Sequence, residues 1–250
     1  MGKEKPKYLC KYRPINRHTL DMILSNKVYF SLPKDFNDPF DCNIIPELVY
    51  TTEERNNFIA KLKAERNGTE EELRNLAENT KKTFDQGFQE TNQNIRNNLR
   101  IFCLSAVNNN VMMYSHYADS HKGICLEFLV EDNSFFNVLD YVRYVDKIPV
   151  FHPFLEDRKL ILQKLPQIEV LTKSCSWCYE EEWRVMKRGP QPDIHEFSPS
   201  ALTSIIFGYQ TPSSDRLLIE KIIQNRATPV QLKEAVRKEN SFELEIRPIN

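Results

Sequence analysis

Apolar and polar positions fall into short clumps along this chain. Tyr8-Leu9-Cys10-Lys11-Tyr12-Arg13 reads as a first strand, and Pro14 with the turn Asn16-Arg17-His18-Thr19 leads into a helix carrying Leu20, Ile23 and Leu24 on one face. A short strand, Val28-Tyr29-Phe30-Ser31, follows. Between Pro33 and Asp41, two prolines and three aspartates surround Phe36 and Phe40, which predicts an ordered loop pinned into the core by its rings. From about 51 to 100 the chain turns to Glu, Lys, Asn, Gln and Arg, with spaced apolar residues at Phe58, Leu62, Leu73, Leu76, Phe84 and Phe88. That spacing predicts two or three amphipathic helices broken at Asn67-Gly68, a helical insertion rather than an independent domain.

The middle is richer in strands. Ile101 to Ser105, Gly123 to Phe128 and Leu139 to Ile148 read as extended, with a short helix at Val111 to Tyr117 and another from about Leu155 to Leu165. Glu182 to Met186, Ser204 to Phe207 and Phe242 to Ile246 add strands, and Arg216 to Gln224 and Pro229 to Arg237 read as terminal helices. Clumped elements without a steady strand-helix alternation predict an α+β fold over a single domain spanning 1–250.

Composition narrows the function classes. The 250 residues are 40% hydrophobic and 28% charged, as in an ordinary globular protein with a core. A charged start, and no run of about 18 apolar residues, predict a cytoplasmic protein with no membrane partner. A net charge of -1 supplies no general field for phosphate backbones. Six cysteines are scattered, and Cys175-Ser176-Trp177-Cys178 has half the spacing of a zinc or redox motif without a second half, so no metal is expected. With only 6 glycines, and no nucleotide-loop, zincin or nucleophile-elbow motif, the common phosphate-cradling and hydrolase designs are excluded. Cys103 or Cys178 could meet His116 or His121, but no helix start activates either thiol.

Two segments carry candidate chemistry. In Trp177-Cys178-Tyr179-Glu180-Glu181-Glu182-Trp183-Arg184, Glu180 and Glu182 lie two apart. In extended geometry both would share one face, where repulsion and burial raise a carboxyl pKa and build a general base or a cation-stabilising group. The plainer alternative is a strand start with Glu182 paired to Arg184 or to a lysine. The second segment, Met113 to Gly123, sets two tyrosines, two histidines and two serines between apolar strands, which suits stacking on a planar ring. Its alternative is core tyrosines with capping histidines.

Lys11-Tyr12-Arg13-Pro14, Phe30-Ser31 with Phe36 to Asp41, Phe102 to Ser105, Ser115 to Gly123 and Tyr179 to Arg184 together resemble the bacterial family catalogued as domain of unknown function 2971. Members often carry tryptophan where Tyr114 stands here. The order of elements is also similar to an ADP-ribosyltransferase domain, whose first motif here lacks a histidine. That resemblance implies a mixed or antiparallel split sheet with NAD as substrate and no metal. It implies Tyr12, Arg13, Ser105, Ser115, His116 and Tyr117 around NAD, with Glu182 stabilising the breaking ribose bond and Glu180 orienting an acceptor. The acceptor would be a protein or nucleic acid, in a toxin or phage-defence setting. Two other readings stand beside it: a non-catalytic module binding a nucleotide or peptide, and a metal-dependent nuclease using Asp38, Asp41, Glu127 and Glu182.

Overall fold

Strand β1 (Tyr8–Arg13) sends Leu9 into one hydrophobic cluster and Cys10 and Tyr12 into another, as the two-residue period of a strand requires. The computed structural model describes residues 3–44, 46–130, 134–156, 158–189 and 193–249. The remaining sheet strands are β2 (Leu99–Ser105), β3 (Ile124–Leu129), β4 (Leu139–Tyr141), β5 (Glu182–Arg188), β6 (Leu202–Phe207), β7 (Gln231–Arg237) and β8 (Leu244–Pro248). The helices are α1 (Arg17–Ser25), α2 (Thr52–Glu65), α3 (Glu70–Asn98), α4 (Val111–Tyr117), α5 (Arg158–Leu171) and α6 (Ser213–Gln224). Among the described residues no helix is long and apolar enough to cross a membrane.

The chain divides into two units, one of Met1–Ser31, Arg100–Val142 and Ser176–Asn250, the other of Leu32–Leu99 and Arg143–Cys175. The first holds an eight-stranded mixed sheet in the order β8-β7-β6-β3-β1-β2-β5-β4. The β6–β7 pair is parallel, whereas β1–β3, β3–β6, β7–β8 and β4–β5 are antiparallel. The α+β class therefore holds, with a mixed sheet. On one face Leu9, Phe102, Leu104, Leu126, Val185 and Ile205 pack with Met22 and Ile23 of α1 and Ile219 of α6. On the other, Cys10, Tyr12, Cys125 and Ile206 pack under Met113 and Tyr114 of α4.

One expected helix is a strand. Gln231–Arg237, part of the segment from Pro229 read as a terminal helix, pairs in parallel with β6 and antiparallel with β8. Its residues favour helix, but the ladder on both sides and burial of Ala235 outweigh that local preference. At Gly123, which begins the turn into β3, a Cβ would lie 2.3 Å from the Arg13 carbonyl oxygen. Backbone cannot yield as a side-chain tip can, so Gly123→Ala should lose about 1–3 kcal/mol in urea unfolding.

The second unit explains the polar, helical segment. Thr51 and Thr69 open α2 and α3 with reciprocal bonds to Glu54 and Glu72, two capping boxes of the T-x-x-E type. Phe84 and Phe88 of α3 pack with Phe151 and with Ile161 and Leu165 of α5, so this segment finds its partner far downstream. The loop at 33–41 reverses the expectation for one of its two rings, Phe36 being half-buried. Phe40 is 66% exposed, while Asp38 and Asp41 are only 7% and 6% exposed. Asp41 pairs with buried Lys173 at 3.2 Å and Asp38 Oδ1 accepts from the Phe40 N–H, so the carboxylates anchor this loop.

In α5, burial pushes the Glu169 carboxyl up to about 8, against a weaker opposing pull from Arg96. Asn92 donates to it at 2.8 Å. Folded chain then keeps a proton that unfolded chain releases near the ordinary carboxylate value of 4.5. The contribution to stability is full below that value and is lost as pH rises towards 8. Glu169→Gln should flatten this slope and add at least about 2 kcal/mol at pH 8, measured by urea unfolding at pH 5 and pH 8.

Candidate functional site

Asn110 starts the site. Its Oδ1 caps α4 by accepting from the Met112 and Met113 N–H groups at 2.8 and 3.1 Å, and its Nδ2 donates to the Tyr179 carbonyl at 3.2 Å. One side chain thus ties the helix bearing His116 and Tyr117 to the 3-10 turn Cys175–Glu180. At the end of β2, Ser105 Oγ donates to the Glu180 carbonyl at 2.6 Å and accepts from the Val107 N–H at 3.2 Å. The Tyr12 hydroxyl donates to the Val107 carbonyl at 2.8 Å, and its ring meets Tyr114 edge-on at 4.9 Å. Burial raises the Tyr12 pKa beyond the usual phenol range, so it acts here as a donor and strut.

The two glutamates part company. Glu180 closes the 3-10 turn, Glu181 takes a left-handed φ of 42°, and Glu182 opens β5. A left-handed residue interrupts the extended period, so the pair does not share a strand face as expected from its spacing. Glu180, 3% exposed, accepts from the Tyr117 hydroxyl at 2.6 Å. Glu182, 5% exposed, instead receives a bidentate grip from Arg184, with Nε at 2.8 Å and Nη2 at 2.9 Å. Arg184 is 0% exposed, so the plainer pairing foreseen for Glu182 exists, but inside the protein rather than at its surface.

Tyr117 joins the buried Glu180 to a group of rings that reaches solvent. His116 lies 6.1 Å from Tyr117, 6.3 Å from Trp177 and 6.0 Å from Tyr179 between centroids, and Trp177 and Tyr179 are 6.1 Å apart. His116 Nδ1 and the Tyr179 hydroxyl meet at 3.0 Å. His116 is exposed and the other three rings are half-buried.

No family model, curated protein or solved structure matches the chain.

The site's chemistry rests on its own geometry. Tyr117, His116, Glu180 and Ser105 come together, joined by Trp177, Tyr179 and Asn110, which the sequence reading did not assign to the site. Ser115 belongs to another pair: its Oγ donates to the Val111 carbonyl and meets His121 Nε2 at 2.9 Å, and the His121 ring stacks on Tyr114. Arg13 follows Tyr12 in β1 and so points to the opposite sheet face, where its Nε donates to Thr19 Oγ1 of α1 at 3.4 Å. It is not brought to the rings. Burial draws the half-buried Lys11 amine below its usual range, with Glu182 and Glu180 among the groups pulling it back.

The acids considered for a metal are differently employed. Glu127 accepts from Lys233, Ser204 and Asn108, Asp41 is held by Lys173 and Glu182 by Arg184. Among the described residues no group of three His, Cys, Asp or Glu side chains is placed to hold a metal ion. What remains is a ring group backed by a buried carboxylate, an arrangement that attracts planar cations through both ring faces and charge.

Proposed function

We propose that the first unit binds NAD by its nicotinamide ring and breaks the bond joining that ring to ribose, passing ADP-ribose to a macromolecule or to water. The observation that carries this reading is the Tyr117 bond to buried Glu180 at the base of the His116, Trp177 and Tyr179 rings. Nicotinamide in NAD is a flat pyridinium, a cation that aromatic faces attract. As its bond to ribose breaks, positive charge spreads onto the sugar, and a fixed carboxylate stabilises that charge more than it stabilises the ground state. Glu180 is the carboxylate assigned to this task, exchanging the Tyr117 hydroxyl for a ribose hydroxyl. Glu182, gripped by Arg184, positions the start of β5. Arg13 has no part in this reading.

A second reading, a non-catalytic module for a nucleotide or peptide, is favoured by one specific feature: both glutamates are buried and already bonded to protein groups. Incubation with NAD separates the two. Nicotinamide release, followed by chromatography, is the expected result. Quenching of Trp177 fluorescence by 1-methylnicotinamide without release from NAD would support the module, with Trp177→Phe identifying the signal. Neither release nor quenching would end both readings.

A further inference from the structure

Lys187, on β5, lies in apolar surroundings without the usual anion. Its Nζ is 3.1 Å from His195 Nδ1 and sits over the rings of Phe30 and Phe135 at 5.5 and 5.8 Å. The lysine is half-buried, and both phenylalanines are buried. Among the described residues it forms no ion pair. Asp193, two residues before His195, is taken by Arg100. The strand Ile194–Glu196 that brings His195 pairs with Lys27–Tyr29, aligning His195 with Val28, so the imidazole is fixed by a ladder rather than by a loop.

An ammonium placed among rings normally gains a carboxylate to offset the loss of water. Here the neighbours are a base and two hydrocarbon rings. The rings attract an ammonium, yet the loss of water dominates and draws the amine below the usual lysine range. An adjacent imidazole adds a group that can exchange protons with the attacking amine.

We propose that Lys187 is a reactive amine that captures a small aldehyde as a Schiff base, independently of the ring site. The nitrogen lone pair attacks the carbonyl carbon and forms the C–N bond. The carbonyl oxygen takes up a proton from solvent as the nitrogen gives one to His195, so that the Schiff base is left protonated. His195 then returns that proton to the hydroxyl, which leaves as water while the C=N bond forms, so no oxidant or reductant is consumed.

The test uses the intact chain with benzaldehyde and cyanoborohydride at pH 7, the trapped amines being located by peptide mass spectrometry. Exposed Lys34 and Lys122 serve as internal references. Lys187 should be trapped severalfold faster than either, because an amine drawn below the usual lysine range holds more free base at a fixed pH. His195→Gln should slow trapping at Lys187 and leave Lys122 unchanged. Trapping of Lys187 no faster than the references in the unsubstituted folded chain would overturn the proposal. So would a rate at Lys187 that ignores the histidine substitution.

Discussion

Arg184→Met should cost about 3–5 kcal/mol of stability in urea or thermal unfolding, the largest loss expected from any single substitution discussed for this chain. Arg184 is buried, and its fork meets both oxygens of Glu182 on the same side of β5. Removing the guanidinium strands a carboxylate away from water without its bidentate partner, and a missing ion partner costs far more than the intact pair contributes. Replacing both, as Glu182→Met with Arg184→Met, should recover much of the loss because the buried charge vanishes with its counter-charge. A double substitution as unstable as Arg184→Met alone would show that other contacts of Arg184 dominate.

Glu180→Gln should lower nicotinamide release from NAD by about 10²- to 10³-fold, the scale on which a single preorganised group aimed at transition-state charge acts. The amide still accepts from Tyr117 at the same place, so the thermal midpoint should fall less than in Glu182→Gln while turnover falls. That separation makes Glu180 a cleaner probe than Glu182. Glu182→Gln strips the charge opposite a buried guanidinium, so lost activity there would mix chemistry with unfolding. Retention of full turnover by the stable Glu180→Gln protein would remove Glu180 from the reaction. Tyr117→Phe should do less harm, since it removes a donor to Glu180 and keeps the ring.

Most of the sheet was legible because β1, β2, β3, β5 and β6 are short apolar runs bounded by polar turns, and α4 appeared over the same residues as read from the sequence. β7 was not, since Gln231-Leu232-Lys233-Glu234-Ala235-Val236 favours helix locally and becomes a strand only between β6 and β8. At the site, the meeting of α4 with the Trp177 to Glu182 segment could be foreseen only as two separate clusters. Nothing local to Glu180-Glu181-Glu182 announces a left-handed residue, because such turns are usually marked by glycine or asparagine. Without that signal, the spacing of the two acids suggested a shared face they do not have. Arg13 lies apart from the rings for a simpler reason: strand parity alone sets it opposite Tyr12, a separation that the resemblance to a transferase motif does not convey.

Placing β1 between β2 and β3 has a consequence for how the molecule is made. The opening strand leaves the ribosome long before residues 99–105 and 124–129, its neighbours on either side, have been synthesised. Until then Leu9, Cys10 and Tyr12 have no ladder to join, and such distant pairings are slow to close. The nascent chain should therefore keep its first strand unpaired throughout synthesis of its helical stretch, and its yield should respond to chaperone supply more than that of a protein zipped from local hairpins.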